Sequence, residues 1–390
     1  MLAVTTVEPG LPDELVAGAR SAFADQYGEP PATVGRAPGR VNLMGEHTDY
    51  NAGLVLPVAL PHATYAAARP RGDEQVRVTS RQQEESWEGT LGELGPRSVE
   101  GWAGYAAGVV WSLREAGYAV PGVDLLVDST VPVGAGLSSS AAIECAVGIA
   151  LLDLVDAADD ADPLVAAAIR AETEVVGAPT GGMDQTVAVH GEHGTALLID
   201  FRSGEHRPVP LDLRGHTLLV TDTRVSHALT DGGYGSRRED CEAAARALGV
   251  PSLREATLEQ VATIEDERIR RRATHIVTET ARTTETVEAL EAGDWDRVGG
   301  LFDASHRSMR DEFEISCPEL DAAVSVAVEA GAVAARMTGG GFGGSSVAVV
   351  PDERVEAVMN AIDAAFVLEG FRSPVHLRAT PSGGASVHRA

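Results

Sequence analysis

Residues 122–154 pass from an apolar, β-branched stretch, GVDLLVDST, through the run VPVGAGLSSSAA, into AAIECAVGIALLDL. The first reads as a strand and the last as a buried helix, so two glycines and three consecutive serines fall where a helix begins. A helix start carries unpaired backbone N–H groups and the positive end of the dipole, which favour an anion, phosphate above all. Three readings compete at this loop. A tight turn whose serines only cap the helix is the simplest. A dinucleotide site matches GAGLSS in part, but the third glycine of G-x-G-x-x-G is missing and no acidic residue ends a second strand at the expected distance. A lysine-bearing P-loop is excluded, because all 31 basic residues are arginines. A nucleotide held here must be met by backbone amides, the dipole, arginine and a metal.

Length and charge narrow the classes. A chain of 390 residues is expected to form two domains, and 44% hydrophobic with 23% charged residues is ordinary for a globular protein with sizeable cores. The net charge of −27 argues against a sequence-independent grip on nucleic acid. Cys145, Cys241 and Cys317 are few and far apart, which points to a reducing compartment rather than a disulfide framework or zinc site. No basic n-region opens the sequence and no run of 18 apolar residues occurs, so a cytoplasmic location without a membrane partner is expected.

The order of elements is α+β rather than a regular βαβ array. VLPVAL, HATYAAAR and VRVTS read as strands, and EGWAGYAAGVVWSLREAG as a helix. A second helix, PLVAAAIRAETEVVG, leads into a loop, APTGGMDQ, followed by strand GTALLIDF. The polar, turn-rich RSGEHRPVPLD suggests a boundary, dividing the chain into residues 1–205 and 206–390. Beyond it come strand HTLLVTDT, a series of helices, then AVAARM, TGGGFGG and SSVAVV. Val355, Val358, Met359, Ile362 and Phe366 form one apolar face of a last helix.

A second chemical stretch, APGRVNLMGEHTDYNAG at 37–53, packs Arg40, Asn42, Glu46, His47, Asp49, Tyr50 and Asn51 between glycines. Such density of hydrogen-bonding groups is unlike a core element. It suits a polyhydroxylated ligand, since each sugar hydroxyl both donates and accepts.

GRVNLMGEHTDYN, PVGAGLSSSAA and TGGGFGGSS together resemble the three motifs of the GHMP kinase superfamily, the first in its galactokinase form; GAPTGGMDQ and LLIDFRS resemble galactokinase segments as well. The resemblance runs from about residue 30 to 350. It implies a two-domain GHMP kinase fold of mixed sheets and helices, with the active site in the cleft between domains. It also implies ATP- and magnesium-dependent phosphorylation of galactose at its C1 hydroxyl.

The resemblance assigns roles to individual residues. Asp184 matches the catalytic carboxylate, acting as a base or orienting the hydroxyl, and Arg40 the arginine that stabilises the transferred phosphoryl group. Glu46, His47, Thr48 and Asp49 match the sugar-binding loop, and Tyr234 in DGGYGSRRED a later sugar contact. Gly134, Ala135, Gly136, Leu137, Ser138, Ser139 and Ser140 match the phosphate-wrapping loop. Ser140 and Glu172 match the magnesium ligands, hard oxygens that fit this ion, while Glu174, two positions on, reads as a surface acid. Thr180 stands where many relatives carry cysteine, so no thiol is required. Two alternatives stay open: a kinase for N-acetylgalactosamine or arabinose, and a non-catalytic, sugar-responsive regulator. A monomer is compatible with the sequence.

Overall fold

The computed structural model describes residues 4–225 and 233–389. Its largest sheet has the order β13 (Ser386–Arg389), β1 (Thr33–Asn42), β3 (Pro57–Pro70), β6 (Val123–Ser129), β4 (Gln75–Ser80) and β5 (Trp87–Thr90). Neighbouring strands are antiparallel except β4 and β6. Alternation along β3 serves two cores. Ala63, Tyr65 and Ala67 meet Phe23 of α1 (Pro12–Tyr27), whereas Ala66 and Ala68 join the cluster built with α2 (Ala103–Glu115) and α3 (Ser139–Leu154).

The sequence predicts two strands on either side of Pro61, but β3 runs through it as one strand of 14 residues. The reason lies in its partner. Between the pairs Pro38–Ala63 and Arg40–Ala59 the β1–β3 register shifts, and Pro61 falls inside that irregular step, where its missing N–H breaks no regular ladder. Close approach also shapes β1. A Cβ on Gly35 would stand 2.2 Å from the Ala146 carbonyl oxygen, so only glycine lets α3 lie on the strand at this distance.

Beyond α3, helix α4 (Ala161–Arg170) continues into a π-helical segment, Ala171–Val176, and α5 begins at Met183 (Met183–His190). Asp184 and Gln185, expected in a loop, therefore sit in the first turn of a helix. A small sheet follows, β2 (Leu54–Val55), β7 (Thr195–Asp200) and β8 (His206–Pro210). The stretch expected to be a turn-rich boundary thus contains β8, whose pairing with β7 bridges residues 205 and 206. Only Val209 of β8 is buried, and two prolines are tolerated on this edge strand, so the segment lacks an apolar strand signature.

The second half holds an antiparallel sheet, β10 (Ala334–Thr338), β11 (Ser345–Pro351), β9 (His216–Asp222) and β12 (Val375–Ala379). Helices α10 (Pro318–Glu329) and α11 (Val355–Glu369) pack on one face, with all five predicted apolar positions of α11 buried. On the other face Leu218, Val220, Val347 and Val349 meet Phe302 of α9 (Trp295–Arg307) together with Val41, Leu43 and Leu137. One core is therefore shared between the two halves. Helices α6 (Gly233–Leu248), α7 (Leu258–Val261) and α8 (Glu267–Ala292) form a further cluster around Phe313 and Ile315. Among the described residues, no helix is long and apolar enough to cross a membrane.

Candidate active site

The register step in β1 presents Arg40. Its main-chain N–H bonds the Leu137 carbonyl at 3.1 Å, and a Cβ on Gly39 would lie 2.7 Å from that oxygen, so the strand end and the phosphate-type loop touch through backbone. The guanidinium then divides its donors. Nε and Nη2 bond Asp184 Oδ1 and Oδ2 at 2.7 and 2.8 Å, and Nη1 bonds the Gly136 carbonyl at 2.6 Å. Ser138 gives its hydroxyl proton to Asp184 Oδ2 at 2.5 Å. The carboxylate stays 23% exposed, so its outer edge is open to a ligand.

The Gly-Ser run turns sharply. Gly134, Gly136 and Ser138 have φ of 81°, 71° and 58°. Ala135 and Leu137 bury their side chains, whereas Gly134, Gly136, Ser138, Ser139 and Ser140 keep access to the surface. Ser138 occupies the cap position of α3 yet makes no side-chain cap bond, so its hydroxyl serves Asp184 and the helix-start amides remain uncapped by it. The third glycine-rich motif closes over this loop: Ser345 donates to the Ala135 carbonyl at 2.7 Å.

The polar loop after β1 is folded tightly. Thr48 lies within bonding distance of the Gly45 and Leu54 carbonyls, 2.9 and 2.7 Å, and holds the loop closed. His47, at φ 63°, bonds the Tyr50 hydroxyl through Nδ1 at 2.7 Å and the Gly340 carbonyl through Nε2 at 3.1 Å, tying the first motif to the third. Burial drives its pKa down to about 3, so the ring is neutral. Tyr234 packs on His47 and Tyr50, with ring centroids 5.0 and 5.6 Å away. Asp231 and Gly232 of its sequence stretch lie outside the described residues.

Glu46 and Asp49 have different surroundings. Glu46 is 1% exposed; Arg336 bonds its Oε2, and the Gly339 N–H its Oε1 at 3.2 Å. Burial raises its pKa against the pull of Arg336. Asp49 stands close to Gly181, where a Cβ would fall 1.9 Å from its Oδ2. Burial, helped by the charge of Asp184, lifts Asp49 to about 6.

Glu172 lies on the π-helical segment, a local widening frequent at functional sites. Burial and the charge of Asp184 lift it to about 7, while Gln185 and the Ser140 hydroxyl hold its negative form. Glu174 points outward and pairs with Arg170 at 2.8 Å, as expected of a surface acid. Among the described residues no group of three or more His, Cys, Asp or Glu stands at metal-binding spacing. Magnesium commonly takes only one or two protein carboxylates beside phosphate oxygens and water, so the Ser140–Glu172 pair fits it.

Sequence reasoning missed the buried supports. Glu144 on α3 is fully buried, far above the ordinary carboxylate pKa through desolvation and the charge of Glu172. Arg336 on β10 bridges Glu46 and Glu279, with Nε left without a partner among the described residues. Each stands as a lone charge within an apolar run, a signal that was available in AAIECAV and AVAARM.

Residues 21–70 match the galactokinase galactose-binding signature, 104–192 the GHMP kinases N-terminal domain and 286–368 the GHMP kinases C-terminal model. The chain is 45% identical to a galactokinase of Streptomyces coelicolor over 373 residues, covering 93% of this chain and 96% of the relative. It is 43% identical to a galactokinase of Mycobacterium tuberculosis over 359 residues, 90% and 98% of the two chains. Among solved structures, Lactococcus lactis galactokinase complexed with galactose superposes with a TM-score of 0.91 at 32% identity, covering 95% of this chain and 99% of that one. A mevalonate kinase at 17% identity and a TM-score of 0.65, covering 89% and 98%, shares the fold.

Proposed function

The chain belongs to the galactokinase family of GHMP kinases, and we propose that Asp184 and Arg40 carry its chemistry. It phosphorylates galactose. ATP supplies the γ-phosphoryl group, and the products are galactose 1-phosphate and ADP. Phosphoryl transfer is governed mainly by positioning and electrostatic stabilisation, so the residues needed are few.

Asp184 accepts the proton of the C1 hydroxyl, or orients that hydroxyl for in-line attack. The observation that carries this reading is the two-point Arg40–Asp184 contact beside the uncapped start of α3. Arg40 fixes the carboxylate and stabilises charge developing on the transferred group, while Gly134–Ser140 cradle phosphate oxygens through backbone N–H groups and the dipole. Ser140 and Glu172 hold magnesium, which when bound neutralises charge on the phosphates. Asp49, His47, Glu46 and Tyr234 contact the sugar hydroxyls, with Thr48 as the tie that keeps their loop closed.

The cleft is contributed by both halves, residues 1–205 and 206–390, with β13 completing the first sheet. Three free cysteines, Cys145 and Cys241 among them buried, support a cytoplasmic residence. The test is ADP release by the purified protein with ATP and magnesium, with and without galactose. Galactose-dependent turnover with phosphate on C1 is expected. Saturable galactose binding without turnover would favour a sugar-responsive regulator instead.

A further inference from the structure

Gln185 follows Asp184 on α5 but points the other way, into the interior, and is fully buried. Its side-chain amide stands between two acids. Nε2 lies 3.0 Å from Glu144 Oε2 and 2.6 Å from Glu172 Oε2, and Oε1 lies 3.4 Å from the Thr180 hydroxyl. An amide nitrogen has two protons, so these two carboxyl groups saturate it and settle which way the amide is turned. Thr180 in turn accepts the Gly182 N–H at 3.2 Å, anchoring the far side of the amide to the turn that starts α5.

Among the described residues the Glu144 side chain has no other hydrogen bond. No arginine bonds it, and its Oε1 is buried without a partner among the described residues. A buried carboxyl is costly unless it is bonded. Cys145, Tyr105 and Glu172 stand near it. We propose that Gln185 is a positioning residue that aims Glu172 at a bound cation, using Glu144 as the fixed post on the other side of the amide.

This rests on the reading of Glu172 as a magnesium ligand. While Gln185 tethers Oε2 of Glu172, the same carboxyl also meets the Ser140 hydroxyl, where the cation would bind. Without the bridge, the Glu172 carboxyl loses the donor that holds its Oε2 and is free to turn away from the cation. Partners that orient a metal ligand in this manner are typically worth roughly 10–100-fold in metal affinity.

The test is direct Mn2+ binding to the full chain with a non-hydrolysable ATP analogue, reading free Mn2+ by electron paramagnetic resonance. Gln185→Met and Glu144→Leu should each weaken Mn2+ binding, the former by roughly 10–100-fold, with galactose affinity unchanged by calorimetry. Glu144→Gln retains an acceptor for the Gln185 amide and should restore near-normal binding. Glu172→Gln serves as the reference. If it binds Mn2+ as the wild type does, the ligand assignment falls and the positioning role with it. If Glu172→Gln weakens binding while both Gln185→Met and Glu144→Leu do not, the positioning role alone is overturned. Should Gln185→Met fail to fold, Glu144→Leu decides.

Discussion

Arg40 grips both oxygens of Asp184 across 144 residues of sequence, Nε on Oδ1 and Nη2 on Oδ2. Guanidinium and carboxylate are both planar, so two parallel bonds fix orientation as well as distance. Lysine offers a single point charge and cannot reproduce this.

Asp184→Asn should therefore keep galactose binding while lowering kcat by at least ~100-fold, the usual scale for a positioned acid or base. Arg40→Lys should lower kcat with a smaller effect on galactose affinity. Single-turnover phosphate transfer separates these effects from product release, and near-normal turnover of Asp184→Asn would remove the carboxylate from the mechanism.

Gly181 marks the place of Asp49. Because an added Cβ would meet Asp49 Oδ2 at 1.9 Å, Gly181→Ala must move that side chain. We expect the KM for galactose to rise by about 10-fold or more, the loss of roughly one charged hydrogen bond of ~1.5–3 kcal/mol, with KM for ATP little altered. Steady-state kinetics with each substrate varied in turn would show whether the effect is confined to the sugar.

The raised pKa of Asp49 gives a pH signature. A carboxyl lifted to about 6 is charged above that pH and accepts sugar hydroxyls; below it, protonation removes an acceptor, so kcat/KM for galactose should fall as pH drops through about 6. Burial is the main cause of the rise; the backbone N–H of Tyr50 opposes it, and of the charged groups Asp184 raises it and Arg40 lowers it. His47, held near 3, stays neutral over this range. Asp49→Asn should abolish this limb of the profile, and a limb that persists unchanged would assign it elsewhere.

Arg336 is wholly buried and joins Glu46 to Glu279. Burial pushes Glu279 up, but Arg282 and Arg336 outweigh it and hold Glu279 near 2. Removing one partner of such a pair strands a buried charge, so Arg336→Met should lose about 3–5 kcal/mol of stability. Urea unfolding measures this directly; an unchanged midpoint would mean that Glu46 takes up its proton at little cost.

Much of the site was legible because its motifs are short, polar and locally continuous. The helix of α3 and the buried face of α11 followed from apolar spacing alone, and Arg40 and Asp184, both assigned to the chemistry, do meet. Elements hidden from the sequence depend on partners distant along the chain. Pro61 looked like a break because the irregular step opposite it in β1 is a property of the pair, not of either strand. His206–Pro210 looked like a turn because an edge strand needs only one buried residue, Val209, to dock. Gln185 reads in sequence only as a neighbour of Asp184, since Glu144 and Glu172 come to either side of it only when α3 and the π-helical turn pack together.

The pairing of β13 with β1 bears on how the molecule is made. Thr33 to Arg36 pair with Tyr65 to Ala68 on one edge and with Ser386 to Arg389 on the other, and Arg20 and Asp153 are also bonded to that last strand, through the His388 carbonyl and the Arg389 side chain. By the time residue 205 has left a ribosome, the Arg40–Asp184 contact has all its parts, yet one edge of β1 still lacks its neighbour. At ~5–20 residues per second, roughly 10–40 s of translation separate the two events. An exposed strand edge held open that long invites pairing with another nascent chain, so the catalytic half has to wait for the last part of the message before its fold is safe.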